Sequence, residues 1–143
     1  MEHARRRFGD LGGVAELAEQ AAWLLRLAQR LQVPVIATEQ YPKGLGPTLA
    51  PLRELLPGGA VREKIHFSAT AGAGLFDLPG GARRQFVVMG AETHVCVLQT
   101  VLDLRARGNE VFVVEEGVSS RRASAKALAV ERMRQAGAVF VSR

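Results

Sequence analysis

The chain has 143 residues, enough for one domain with a sizeable core, and 48% hydrophobic with 23% charged residues is ordinary for a soluble globular protein. Its single cysteine excludes an internal disulfide, and neither the C-x-x-C nor the Cys/His spacing of a structural zinc site occurs. The net charge of +5 comes with arginines in small scattered groups, Arg5–Arg7, Arg83–Arg84 and Arg121–Arg122, without interleaved aromatics, which predicts solvated surface charge and no nucleic-acid partner.

Met1–Phe8 is polar and basic and carries no strand pattern. From Gly13 to Leu31 the apolar set Val14, Leu17, Ala18, Ala21, Leu24, Leu25, Ala28 and Leu31 predicts an amphipathic helix. Val33–Thr38 reads as a buried strand, with Pro34 tolerable near its start. Glu39–Pro47 is a loop at that strand's carboxyl end, and Thr48 is placed to cap a short helix through Leu56. Ala60–Ile65 predicts a short strand ending near Lys64. Ser68–Gly81 is a small-residue loop with a helical turn around Leu75–Leu78.

Gln85–Met89 is an apolar run that ends at Gly90. Helical spacing then takes over through Val95, Leu98, Val101, Leu102 and Arg105. This is strand, tight turn, helix. Thr93 is placed as N-cap, with Cys96 in the first helical turn. Free backbone N–H groups and the positive end of a helix dipole favour a thiolate there. A small buried hydrophobe is the other reading of a lone cysteine in that position.

Asn109–Glu116 predicts a further strand. Ser119 or Ser120 is placed to cap a helix to about Gln135, which Gly137 ends. Ala138–Ser142 is the last strand. Strands alternating with helices of ten or more residues predict an α/β fold with a mostly parallel, doubly wound sheet in a single domain, residues 1–143. The absence of a signal peptide and of an apolar run of transmembrane length predicts a cytoplasmic location and no membrane partner.

Three segments carry a resemblance to a known family. They are Thr38-Glu39-Gln40-Tyr41-Pro42-Lys43-Gly44-Leu45-Gly46, Lys64-Ile65-His66-Phe67-Ser68 and Gly90-Ala91-Glu92-Thr93-His94-Val95-Cys96-Val97-Leu98-Gln99-Thr100. In this order they resemble the isochorismatase-like cysteine hydrolases, most nearly the branch of isochorismatase domain-containing proteins. The likeness runs from about Phe8 to the C-terminus and leaves residues 1–8 outside it. It implies a three-layer α/β/α fold around a parallel sheet, about five strands of which this chain supplies.

The resemblance also implies an Asp–Lys–Cys triad, in which Cys96 is the nucleophile and Lys64 the lysine. It implies an oxyanion-binding turn at Ala91, Glu92 and Thr93, with a non-proline cis peptide near Ala91–Glu92. Glu39, Tyr41, Phe67 and His94 are candidate pocket residues, with Leu45 beside Tyr41 and Phe67 at the mouth. Glu39-Gln40-Tyr41 stands where metal-dependent relatives carry Asp-x-His, so no metal and no cofactor are expected. A small-molecule substrate and a homo-oligomer are. The reaction implied is hydrolysis of a small amide or related C–N, ether-like or ester-like bond.

Two departures matter. The family's opening strand ends in the triad Asp, and the aligned position falls near His3, with no apolar strand before it. The helix that follows the last strand in the family has no counterpart here. A shortened N-terminus and true loss of catalysis both fit, the latter leaving an oligomeric or ligand-binding protein. Glu39, Glu92, Glu115 and Glu116 are the candidate substitutes for the acid. Without the opening strand, the strands flanking its place either pair directly or are separated by a borrowed segment.

Overall fold

A computed structural model describes residues 13–143. The expectations for Met1–Phe8, including the Arg5–Arg7 group and the position aligned with His3, lie outside the described residues.

The amphipathic segment forms α1 (Val14–Arg30). It is followed by β1 (Ala37–Gln40) and two single-turn helices, α2 (Pro42–Leu45) and α3 (Ala50–Arg53). Then come β2 (Val61–Lys64), a 3₁₀ turn (Leu75–Asp77) and β3 (Gln85–Ala91). A π-helical turn (Thr93–Val97) leads into α4 (Leu98–Ala106). The chain continues through β4 (Glu110–Ser119) and α5 (Ala123–Gln135) to β5 (Val139–Val141).

All the strand pairings are parallel, and they fall into two groups. β1 pairs with β2, and β3, β4 and β5 form a second sheet in that order. Among the described residues β1 and β3 do not pair, and no strand lies between them. The flanking strands are therefore separated, not joined. Val87, in the middle of an apolar strand, is accordingly 58% exposed.

The core lies on one face of the three-stranded sheet. Val111 and Val113 of β4 alternate inward, as a pleated strand requires. They meet Leu98, Val101 and Leu104 of α4 and Ala129, Val130 and Met133 of α5. α1 packs against β3 and β4 without a fully buried side chain of its own. The result is a three-layer α/β/α arrangement. One guanidinium fastens the far end: Arg105 donates from Nε to Ala136 O (3.1 Å) and from Nη1 to Asn109 O (2.6 Å). Gly137 makes room for it, since φ is +89° and a Cβ would lie 2.7 Å from Arg105 Nη2.

Local expectations needed correction where side chains were given capping roles. The first strand begins at Ala37 rather than Val33, and its ladder starts with Ala37 N–H to Ala60 O. Thr48 does not cap a helix; its N–H donates to Glu39, and the helix shrinks to Ala50–Arg53 behind Leu49. Ser119 is the last residue of β4, and Ser120 turns to His94, so the N-cap of α5 is Arg122.

Candidate functional site

The candidate site is assembled from both sheets at the carboxyl ends of their strands. Lys64 ends β2 in register with Gln40, the last residue of β1. Its buried ammonium donates to Gln40 Oε1 (2.6 Å), Phe67 O (2.8 Å) and His66 O (3.0 Å). Those neutral acceptors use the three donors of an ammonium. Burial pushes the Lys64 pKa below its ordinary value, and the charge of Cys96 opposes that fall. The thiol and the lysine are thus within electrostatic reach of each other, although they stand 32 residues apart in sequence.

Cys96 sits within the π-helical turn after β3. The peptide between Ala91 and Glu92 is cis. Glu92, not Thr93, occupies the N-cap position, and its carbonyl accepts the N–H of Val95 and of Val97 (both 3.2 Å). The second of these is the wide i→i+5 bond of a π turn. Thr93 is fully buried, and its hydroxyl is without a partner among the described residues. Thr100 anchors the turn from below: its hydroxyl donates to Cys96 O (2.7 Å) and accepts from Ala69 N–H (2.9 Å).

Glu39 and Glu92 both have committed carboxylates. Glu39 is 5% exposed, and its Oε1 accepts from Thr48 N–H (2.8 Å) and Arg53 Nη1 (2.6 Å). Burial alone would raise its pKa, but the hydrogen bonds of Thr48 and then the Arg53 guanidinium outweigh that and hold it below the ordinary value. Glu92 accepts from Arg121 Nε (2.6 Å) and from the Arg121 main-chain N–H (3.1 Å). His94 joins this cluster, with Nδ1 3.0 Å from Ser120 Oγ and 3.5 Å from Glu92 Oε2. Glu115 pairs with Arg134 at the surface. Tyr41, Leu45, Ile65 and Phe67 are exposed on the loops that follow β1 and β2. No group of three or more His, Cys, Asp or Glu that could hold a metal ion forms among the described residues.

Gln40 has a place at the site that sequence reasoning missed. Its amide accepts from Lys64 and donates to Ile65 O (2.9 Å), clasping the ends of β1 and β2. Only the strand register reveals this, because nothing in a lone glutamine after Glu39 marks it.

Parallel strands, with Lys64 at the end of β2 and Cys96 in the turn after β3, define an α/β protein of the doubly wound class whose candidate site lies outside the strand carboxyl ends. Residues 7–143 match the isochorismatase domain, and the chain belongs to that family. It is similar to isochorismatase domain-containing protein 1 of Salmo salar, 42% identical over 142 residues that make up 97% of this chain and 47% of that protein. It also resembles isochorismatase family protein 1A of Dictyostelium discoideum, at 36% identity over 95% of this chain and 66% of that one. The chain thus spans about half the length of the salmon relative. Among solved structures, the MAR1 ribonuclease of Caenorhabditis elegans superposes with a TM-score of 0.83 at 38% identity, covering 90% of this chain and 66% of that one. The YcaC protein of Escherichia coli, described as an octameric hydrolase of unknown specificity, shares the fold with a TM-score of 0.84 at 22% identity, over 98% of this chain and 70% of that one.

Proposed function

We propose that the chain is, or forms part of, a metal-independent hydrolase that cleaves a small amide or related C–N, ether-like or ester-like bond with Cys96 as nucleophile. The observation that carries the reading is a buried lysine whose electrostatic neighbour is the only thiol in the sequence. With an amide, the Cys96 sulfur attacks the carbonyl carbon and forms a C–S bond. The thiol proton ends on the departing nitrogen as the C–N bond breaks. Water then cleaves the thioester, giving the carboxylic acid and restoring the thiol. Lys64 compensates negative charge on sulfur and at the developing oxyanion. The turn Ala91–Thr93 is the proposed oxyanion site. Tyr41, Leu45 and Phe67 are the proposed apolar rim of a small-molecule pocket.

A panel of small amides and esters, assayed with the wild-type chain and with Cys96→Ser, tests this. Turnover abolished by the substitution supports it, and turnover that survives refutes it. Because Cys96 is the single thiol, its alkylation by iodoacetamide can be followed without interference. Lys64→Ala is expected to slow that reaction at pH 7, and an unchanged rate removes the lysine from the proposal.

A second reading has its own support. Of the carboxylates that could replace the triad acid, Glu39 is held by Thr48 and Arg53 and Glu92 by Arg121. Neither has the freedom that proton transfer needs. A catalytically silent chain that keeps the fold as an oligomeric or ligand-binding protein follows from this. No turnover across the panel, with the fold intact by circular dichroism, selects it. Both readings include a homo-oligomer, which light scattering tests. They also include a cytoplasmic setting; no helix among the described residues is long and apolar enough to cross a membrane.

A further inference from the structure

The acceptors around the buried Lys64 Nζ are Gln40 Oε1 (2.6 Å), Phe67 O (2.8 Å) and His66 O (3.0 Å). A neutral amine has a lone pair and only two N–H groups, so three acceptors select the ammonium. None of the three carries charge, and among the described residues no carboxylate stands within ion-pair distance of Lys64. The ammonium is held in place without being neutralised. Resting on the reading of Cys96 as nucleophile and Lys64 as its electrostatic support, we infer that Gln40 is a positioning residue: a neutral partner that fixes the ammonium and leaves its charge to act on the sulfur.

Two of the acceptors are main-chain carbonyls, whose charge no substitution changes. Residue 40 supplies the side-chain acceptor, so the charge facing Lys64 is set there. Gln40 lies in register with Lys64 across the β1–β2 ladder, which puts both side chains on one face. Glu39, one residue earlier, falls on the opposite face, where Thr48 and Arg53 hold its carboxylate. Strand alternation thus keeps a buried carboxylate off the ammonium and brings a carboxamide to it. The carboxamide has a second task that a carboxylate cannot perform, since its Nε2 donates to Ile65 O (2.9 Å). A glutamate at this position would set an oxygen against that carbonyl and cancel the charge of Lys64.

Iodoacetamide alkylation of the single thiol in the full chain, followed against pH, tests this. Gln40→Glu is expected to move the midpoint of the rate-against-pH curve upward by about one pH unit. Alkylation at pH 7 is expected to slow about threefold, because a more basic sulfur is also more nucleophilic and offsets part of the lost thiolate. Gln40→Met, similar in size and uncharged, breaks both hydrogen bonds and is expected to move the midpoint far less. A merely structural clasp predicts the reverse order, since methionine loses both bonds and glutamate keeps the one to Lys64. Equal movement in the two variants, or none with Gln40→Glu, overturns the inference. Lys64→Ala separates it from the reading beneath it. A midpoint that Lys64→Ala leaves in place removes the lysine itself, whereas one that moves with Lys64→Ala but not with Gln40→Glu removes Gln40 alone. Should Gln40→Glu fail to fold by circular dichroism, Gln40→Asp, one methylene shorter and so farther from Ile65 O, carries the same comparison.

Discussion

Glu39→Gln isolates the electrostatics that hold the loop after β1. The wild-type carboxylate gathers Thr48 N–H and Arg53 Nη1 onto one oxygen in a site only 5% exposed. A hydrogen bond to an ionised, buried acceptor contributes about 1.5–3 kcal/mol. The Arg53 side chain is 50% exposed, so its share is discounted for solvent screening to roughly 0.2–1 kcal/mol. Glutamine keeps an acceptor but loses the charge, and the expected cost at pH 7 is about 2 kcal/mol.

The pH dependence follows from the sign of the shift. The folded-state pKa of Glu39 lies below its ordinary value of 4.5, so the folded state binds the proton less readily. Its stabilisation is then complete above that ordinary value and is lost as pH falls through the folded value. Urea midpoints of wild type and Glu39→Gln, measured at pH 7 and again at about pH 3, read this directly. The gap between the two proteins is expected to be widest at pH 7 and to narrow in acid. A gap of constant width refutes the charge-based account and leaves only shape.

Thr100→Val deprives Ala69 N–H and Cys96 O of their shared hydroxyl in a buried setting, and is expected to cost about 2 kcal/mol by urea denaturation. Thr93→Val replaces a buried hydroxyl without a partner among the described residues by a methyl of similar size. It is expected to be neutral or to raise stability by about 1 kcal/mol, and a loss of more than that in the same assay reveals a partner for the hydroxyl.

The elements that the sequence disclosed most clearly are those written in periodicity. Phe86–Met89 and Val111–Val114 are runs of apolar residues, many of them β-branched, and both became strands of the main sheet. The spacing from Leu98 to Arg105 became α4. Cys96 stood out because it falls where a strand pattern gives way to helical spacing, whereas Lys64 was singled out only through the family resemblance. Capping was not legible, because several acceptors compete for the same N–H groups. Thr48 N–H found a carboxylate nine residues earlier, and Ser120 found an imidazole. Such choices depend on tertiary neighbours that no local window contains. The roles of Gln40 and Arg121 were hidden for the same reason: each acts across elements that the fold alone brings together.

The division of the sheet has a consequence for the pair itself. Lys64 rides on one half and Cys96 on the other, and no ladder of peptide bonds fixes the distance between them among the described residues. The loop after β2 spans the seam, stitched to α4 by Ala69 N–H on Thr100 and by the Thr70 hydroxyl on Asp103 (2.9 Å). Thr70 and Thr100 therefore help to hold the loop after Lys64 against the helix after Cys96, and changes at either would act on that seam without touching a reactive group.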